Sequence, residues 1–126
     1  MAIAQIEREL PDRSEVVGKA VLRSAELLGL SAAQLGKAIG LSEASVSRLK
    51  SGTFRLEVGS PAYELSLFVI RVFRSLDSIV GGDKDVARSW MKNDNTVLGA
   101  RPCEMVTSLP RLVDLVNYLD SRRALV

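Results

Sequence analysis

LSAAQLGKAIGLSEASVSRLKSG, residues 30–52, is the stretch on which the fold turns. Ser31 stands three residues before Gln34, a capping-box spacing in which two side chains satisfy the free N–H groups of a helix start. Gly40 supplies the positive φ that a tight turn needs, and Ser42 opens a second helix that Gly52 closes. Leu35, Ile39, Leu41, Val46 and Leu49 fall where two short helices across such a turn share a small core. Gly36 stands where the helices approach most closely. Two amphipathic helices of an ordinary bundle have no need of both Gly36 and Gly40 at this spacing.

On these residues the segment resembles the DNA-binding helix-turn-helix of the Cro/repressor (Xre) class. In that class the second helix enters the major groove with its N-terminal half toward the base edges. Here that presents Glu43, Ala44, Ser45, Ser47 and Arg48, with Val46 and Leu49 turned inward. An arginine reaches guanine O6 and N7, a serine bonds bases or phosphates, an alanine touches a thymine methyl and a glutamate accepts from cytosine. Glu43 also suits the helix N-terminus, and each serine also fits a solvated surface. Lys37, Lys50 and Arg55 are phosphate candidates. Between residues 31 and 58 four bases oppose two acids. Such a face releases few counterions, so two copies reading two half-sites are expected for specific binding.

Outward from this motif the chain reads as helices. Asp12 precedes Glu15 in a D-x-x-E box, and Val17, Ala20, Val21, Leu27 and Leu28 fall largely on one face before Gly29. Ser60-Pro61 is a cap followed by proline at the first helical position. Behind it Leu65, Phe68, Val69, Val72, Phe73, Leu76, Ile79 and Val80 form a wide apolar stripe, expected to meet a symmetry mate in a dimer. Gly81-Gly82 ends this helix and is the expected boundary between a first domain, 1–80, and a second, 81–126. Residues 83–92 read as a helix with acids first and bases later. Pro102 and Pro110 mark further starts, and Leu112, Val113, Leu115, Val116 and Leu119 are the inward face of the last helix. TFRLEV, 53–58, is the only alternating run, without an evident partner strand.

Composition narrows the function. The chain has 126 residues, 17 Lys+Arg against 15 Asp+Glu, one cysteine and no histidine. A net charge of +2 excludes a polybasic arm while leaving DNA binding by one local face open. No intrachain disulfide, conventional zinc site or histidine-dependent nucleophilic machine is possible. Asp83 and Asp85 are the imaginable acid–base pair, but i,i+2 spacing on a helix points them apart. Cys103, beside Pro102, reads as a small half-buried residue. No cofactor or metal is expected. The start, MAIAQIERELPDR, lacks a signal peptide's basic and apolar regions, and Arg71, Arg74 and Asp77 interrupt the most apolar segment. A cytoplasmic protein with no membrane association is expected.

The C-terminal segment carries a second pattern: Ala87-x-x-Trp90-Met91, Asn95-x-x-Leu98-Gly99, Pro102-x-Glu104-Met105-Val106, then Val113 and Tyr118-Leu119. Trp90 reads as an anchor of a small helical lobe. In this order the residues resemble the Xre/MbcA/ParS antitoxins, whose C-terminal toxin-binding domain follows a helix-turn-helix. Asp94 stands where that family often has proline, Ala100 replaces a second glycine, and the ending SRRALV lacks a glycine.

The resemblance implies an all-α chain, a Cro/repressor-like domain followed by a small helical toxin-binding domain, acting in a type II toxin–antitoxin module. The implied partner is a cognate RES-domain toxin that consumes NAD⁺, with the antitoxin covering its active site and repressing its own operon through operator DNA. A homodimer, or a higher hetero-oligomer with toxin, is expected. The toxin-binding candidates are Trp90, Leu119, Asp120, Arg122, Arg123, Leu125 and Val126. Residues 119–126 are expected to close the toxin's substrate site. The alternatives are a stand-alone dimeric repressor, a small enzyme and a ligand-sensing regulator, for which no polar group aimed into an apolar pocket is evident.

Overall fold

The computed structural model describes residues 12–125; the N-terminal reading of 1–11 and the role expected of Val126 lie outside them. Seven helices occupy the described residues: α1 (Arg13–Leu28), α2 (Ala32–Ile39), α3 (Glu43–Ser51), α4 (Pro61–Ile79), α5 (Lys84–Lys92), α6 (Pro102–Met105) and α7 (Leu109–Arg123). The only bridge-type pairing among these residues joins Asn95 and Ala100.

The caps fall where the sequence puts them. Asp12 accepts from the Glu15 N–H at 3.3 Å. Ser31 Oγ accepts from Gln34 N at 3.0 Å while Gln34 Oε1 accepts from Ser31 N at 2.9 Å, so two unpaired donors of α2 are satisfied reciprocally. Ser42 and Ser60 cap α3 and α4 in the same manner. Asp83 Oδ1 accepts from the N–H groups of both Asp85 and Val86, both at 3.1 Å, which gives that acid a structural role at the start of α5.

α4 is the central beam. It packs against α1 and α2, against α5, and against α7. Its stripe is therefore largely spent inside the chain: Val69, Val72 and Leu76 are buried, while Leu65, Phe68, Phe73, Ile79 and Val80 are half-buried. The expected surplus for a symmetry mate shrinks accordingly. The sequence showed how much apolar surface α4 carries, but not that helices on several sides of it would cover it.

Around α4 the buried residues form one cluster, running from Val17, Val21 and Leu28 of α1 through Leu35, Ile39, Val46 and Leu49 to Leu112, Leu115, Val116 and Leu119 of α7. Residues 53–58 form no strand. Leu56 is buried, and its carbonyl accepts from the Ser14 hydroxyl, so the segment is a strap laid over α1.

Candidate functional site

Two surfaces carry the candidate residues. The first is built by α2, α3 and the turn between them. Gly36 has no room for a side chain, since a Cβ there would stand 2.5 Å from the Leu41 carbonyl oxygen. Leu41 N in turn donates to Gly36 O at 2.8 Å. Gly40 adopts φ 76°, which sends the chain from α2 into Leu41 and the Ser42 cap. Val46 and Leu49 face the core. That rotation leaves Glu43, Ala44, Ser47, Arg48 and Lys50 exposed, with Ser45 half-buried. Arg48 Nη2 donates to Ser45 Oγ at 3.1 Å, and Ser42 Oγ donates to the same oxygen at 3.1 Å. The guanidinium is thereby drawn along the N-terminal half of α3, where the helix dipole favours anions.

The expected phosphate contacts divide. Lys37 and Lys50 are exposed, with no carboxylate of the described residues within ion-pairing distance. Arg55 is paired with Asp12. Its guanidinium hydrogen bond, more than the Glu15 N–H, holds the Asp12 carboxyl below the ordinary carboxylate value, and Asp12 raises Arg55 in return. Arg55 therefore pins the strap to the start of α1, a competing use of its charge.

The second surface lies where the C-terminal ends of α4 and α7 meet α5. The rings of Trp90 and Tyr118 stack with centroids 6.4 Å apart and planes at 12°. Arg122 lies over the other partner, its Cζ 5.5 Å from the Tyr118 ring centre and its Nε donating to Tyr118 Oη at 3.2 Å. A cavity of about 370 Å³ opens beside them, lined by Leu76, Ile79, Val80, Leu119 and Leu125 as well as these three residues. The loop behind Trp90 is held by Asn95, whose Oδ1 accepts from Val97 N and Leu98 N at 3.0 and 3.1 Å. Asp94 pairs with Arg101 at 3.4 Å.

Both halves of the chain match family models. Residues 7–74 match the antitoxin Xre-like helix-turn-helix domain, and residues 75–124 match the antitoxin Xre/MbcA/ParS C-terminal toxin-binding domain. The chain belongs to the Xre-type antitoxins. No curated protein matches it in sequence.

Within this antitoxin the expected toxin-facing residues separate into two groups. Leu119 is only 1% exposed and belongs to the core, so beyond its edge at the base of the cavity it has almost no surface to offer a toxin. Asp120 is not on the outer side of its helix. It is half-buried against α4, pairing with Arg71 at 2.5 Å and accepting from Ser75 Oγ at 3.1 Å. Helical spacing already puts Leu119 on the inward face of α7, whereas the inward turn of Asp120 beside it was not resolved by spacing near a chain end. Trp90 is half-buried, while Arg122, Arg123 and Leu125 are exposed, Leu125 at 80%.

Sequence reasoning missed Arg71 and Ser75 as the holders of Asp120. It also missed Tyr118 as the partner of Trp90. The i,i+4 spacing of Tyr118 and Arg122 was a usable signal for that pair. The approach of α5 to α7 was not, because periodicity identifies a face without saying which face it meets.

Proposed function

We propose that this antitoxin binds and neutralises a RES-domain toxin that consumes NAD⁺, and that it represses its own operon as a dimer bound to operator DNA. The observation that carries the reading is the order of the two family matches, helix-turn-helix then toxin-binding domain, which between them span residues 7–124. In this reading 1–80 carries DNA binding and dimerisation, and 81–126, together with the end of α4 that falls in the toxin-binding match, carries toxin binding. Exposed Arg48, Ser47, Ala44 and Glu43 support base reading by α3, with Lys37 and Lys50 on phosphates. Self-association draws on the half-buried residues of α4, Leu65 and Phe68 among them, and on exposed Leu67.

Blocking of the toxin falls to the end of the chain. With Leu119 in the core and Asp120 held by α4, the plug reduces to 122–126. Arg122 and Arg123 have the charge to meet a catalytic carboxylate, and Leu125 is free to fill an apolar slot. No described helix is long and apolar enough to cross a membrane, and the reading places the complex in the cytoplasm.

The test is co-expression with the product of the neighbouring gene. The full chain is expected to rescue growth, to co-purify with that product and to shift operator DNA. A chain ending at Ser121 is expected to lose rescue and keep DNA binding. Rescue and complex formation by the shortened chain would overturn the plug, and failure of the full chain to retain any toxin would overturn the antitoxin assignment.

A further inference from the structure

The toxin-binding assignment names a domain and no contact. We propose that the groove between the ends of α4, α5 and α7, which shares Arg122 and Leu125 with the tail that blocks catalysis, is the toxin's anchoring site. It receives an apolar side chain of the toxin with a carboxylate beside it. The inference rests on the toxin-binding reading above.

The groove's composition leads to that occupant. Ile79, Val80, Trp90 and Leu125 give it apolar walls, and Trp90 and Tyr118, already stacked, present a rigid aromatic floor at little entropic cost. Aromatic residues in a partly enclosed apolar setting are the usual anchors of an interface. All the lining residues except Leu125 lie within the toxin-binding match, 75–124.

The charge requirement comes from Arg122. Its Nε is committed to Tyr118 Oη, and the ring beneath fixes the guanidinium plane. Among the described residues no carboxylate lies within ion-pairing distance of it. Arg122 lines the groove, and its remaining N–H donors are of the kind that pairs with the two oxygens of a carboxylate. Asp120, the acid closest in sequence, is unavailable because Arg71 and Ser75 hold it on α4. With no acid of the described residues placed on it, Arg122 suits a carboxylate brought by the partner.

A competition experiment tests this. A tagged copy of the neighbouring gene's product is co-expressed with equal amounts of wild-type antitoxin and one variant, and the ratio retained on the tag is read by mass spectrometry. Trp90→Ala is expected to lower its share roughly 30-fold or more, the range of an interface anchor. Arg122→Glu is expected to do the same, with Arg122→Lys intermediate and more salt-sensitive. Val80→Glu, at the end of α4, supplies a groove variant that leaves the aromatic stack intact. Operator binding and thermal melting check that each variant folds. Folded groove variants retained as well as wild type overturn the proposal. So does loss of self-association by Trp90→Ala without toxin, which assigns the groove to a second copy. If wild type itself is not retained, the toxin-binding reading falls and this inference falls with it.

Discussion

Gly36→Ala is the sharpest test of the helix-turn-helix geometry. Elsewhere in a helix the change is favourable by up to about 1 kcal/mol, because glycine loses more backbone freedom on folding. Here the new Cβ would meet the Leu41 carbonyl oxygen at 2.5 Å, well inside contact distance. The obstacle is backbone, and the same turn is tied to Gly36 O by the Leu41 N–H at 2.8 Å. The turn cannot withdraw without breaking that bond and moving α3 against α2. Overpacking of this kind costs about 1–3 kcal/mol, and a rigid obstacle belongs at the upper end. Net of the helix gain, about 2 kcal/mol of destabilisation is expected, or roughly 6–10 °C in Tm for a domain of this size. Gly18→Ala is the matched control. Its Cβ meets only the Leu49 Cδ1 methyl at 3.4 Å, the movable end of a side chain. That variant should melt within a few degrees of wild type. Melting curves and operator binding of both variants decide the matter. A Gly36→Ala chain as stable as the Gly18→Ala chain would refute the close-approach argument.

Further outcomes follow from the same contacts. Asp120→Ala removes the Arg71 pair and leaves the fully buried Ser75 hydroxyl without its carboxylate; a loss of about 1–2 kcal/mol in denaturant unfolding is expected, and Asp120→Asn should recover part of it. Arg48→Ala should cost about 1–3 kcal/mol in operator binding and relax base preference, whereas Lys37→Ala should weaken all DNA alike and flatten the salt dependence; an unchanged preference in a band-shift series with scrambled DNA would remove Arg48 from base reading. The Asp12 carboxyl is held below 3.8 by Arg55, so its stabilising contribution is complete above that value and disappears as pH falls through the folded-state value. The stability gap between wild type and Asp12→Asn should therefore be constant near neutrality and close in acid; a gap that persists at the lowest pH would contradict the pairing.

Much of this was legible because it is local. Caps at Asp12, Ser31, Ser42 and Ser60 act over three residues, and the glycines at 36 and 40 answer to steric limits that hold in any context. The apolar faces of α1 and α7 were likewise set by helical period. What periodicity does not carry is the pairing of faces. The stripe on α4 looked oversized for one domain because nothing in residue spacing signals that α7 lies along it. Asp120 looked free for a partner because Arg71 and Ser75 stand some 45–49 positions earlier, on a helix whose charges read only as interruptions of its apolar run. Arg55 looked like a phosphate ligand for the same reason, its partner Asp12 having been read only as a cap.

The position of α4 bears on how the two activities share one chain. The family matches meet between residues 74 and 75, inside this helix and ahead of the Gly81-Gly82 turn. Nineteen helical residues extend about 28 Å, and a helix packed on several sides does not bend freely. It packs with α1 and with α2, which leads into the turn before α3, while Ser75 binds Asp120 of α7 and Leu76 and Ile79 line the groove. The groove is thus set at a fixed distance and angle from α3 by a shared core, with no flexible linker between them. Two copies placed on two half-sites would present two grooves in a geometry dictated by the operator spacing. Toxin docking across such a pair would depend on that spacing, whereas docking to domains on a flexible tether would not.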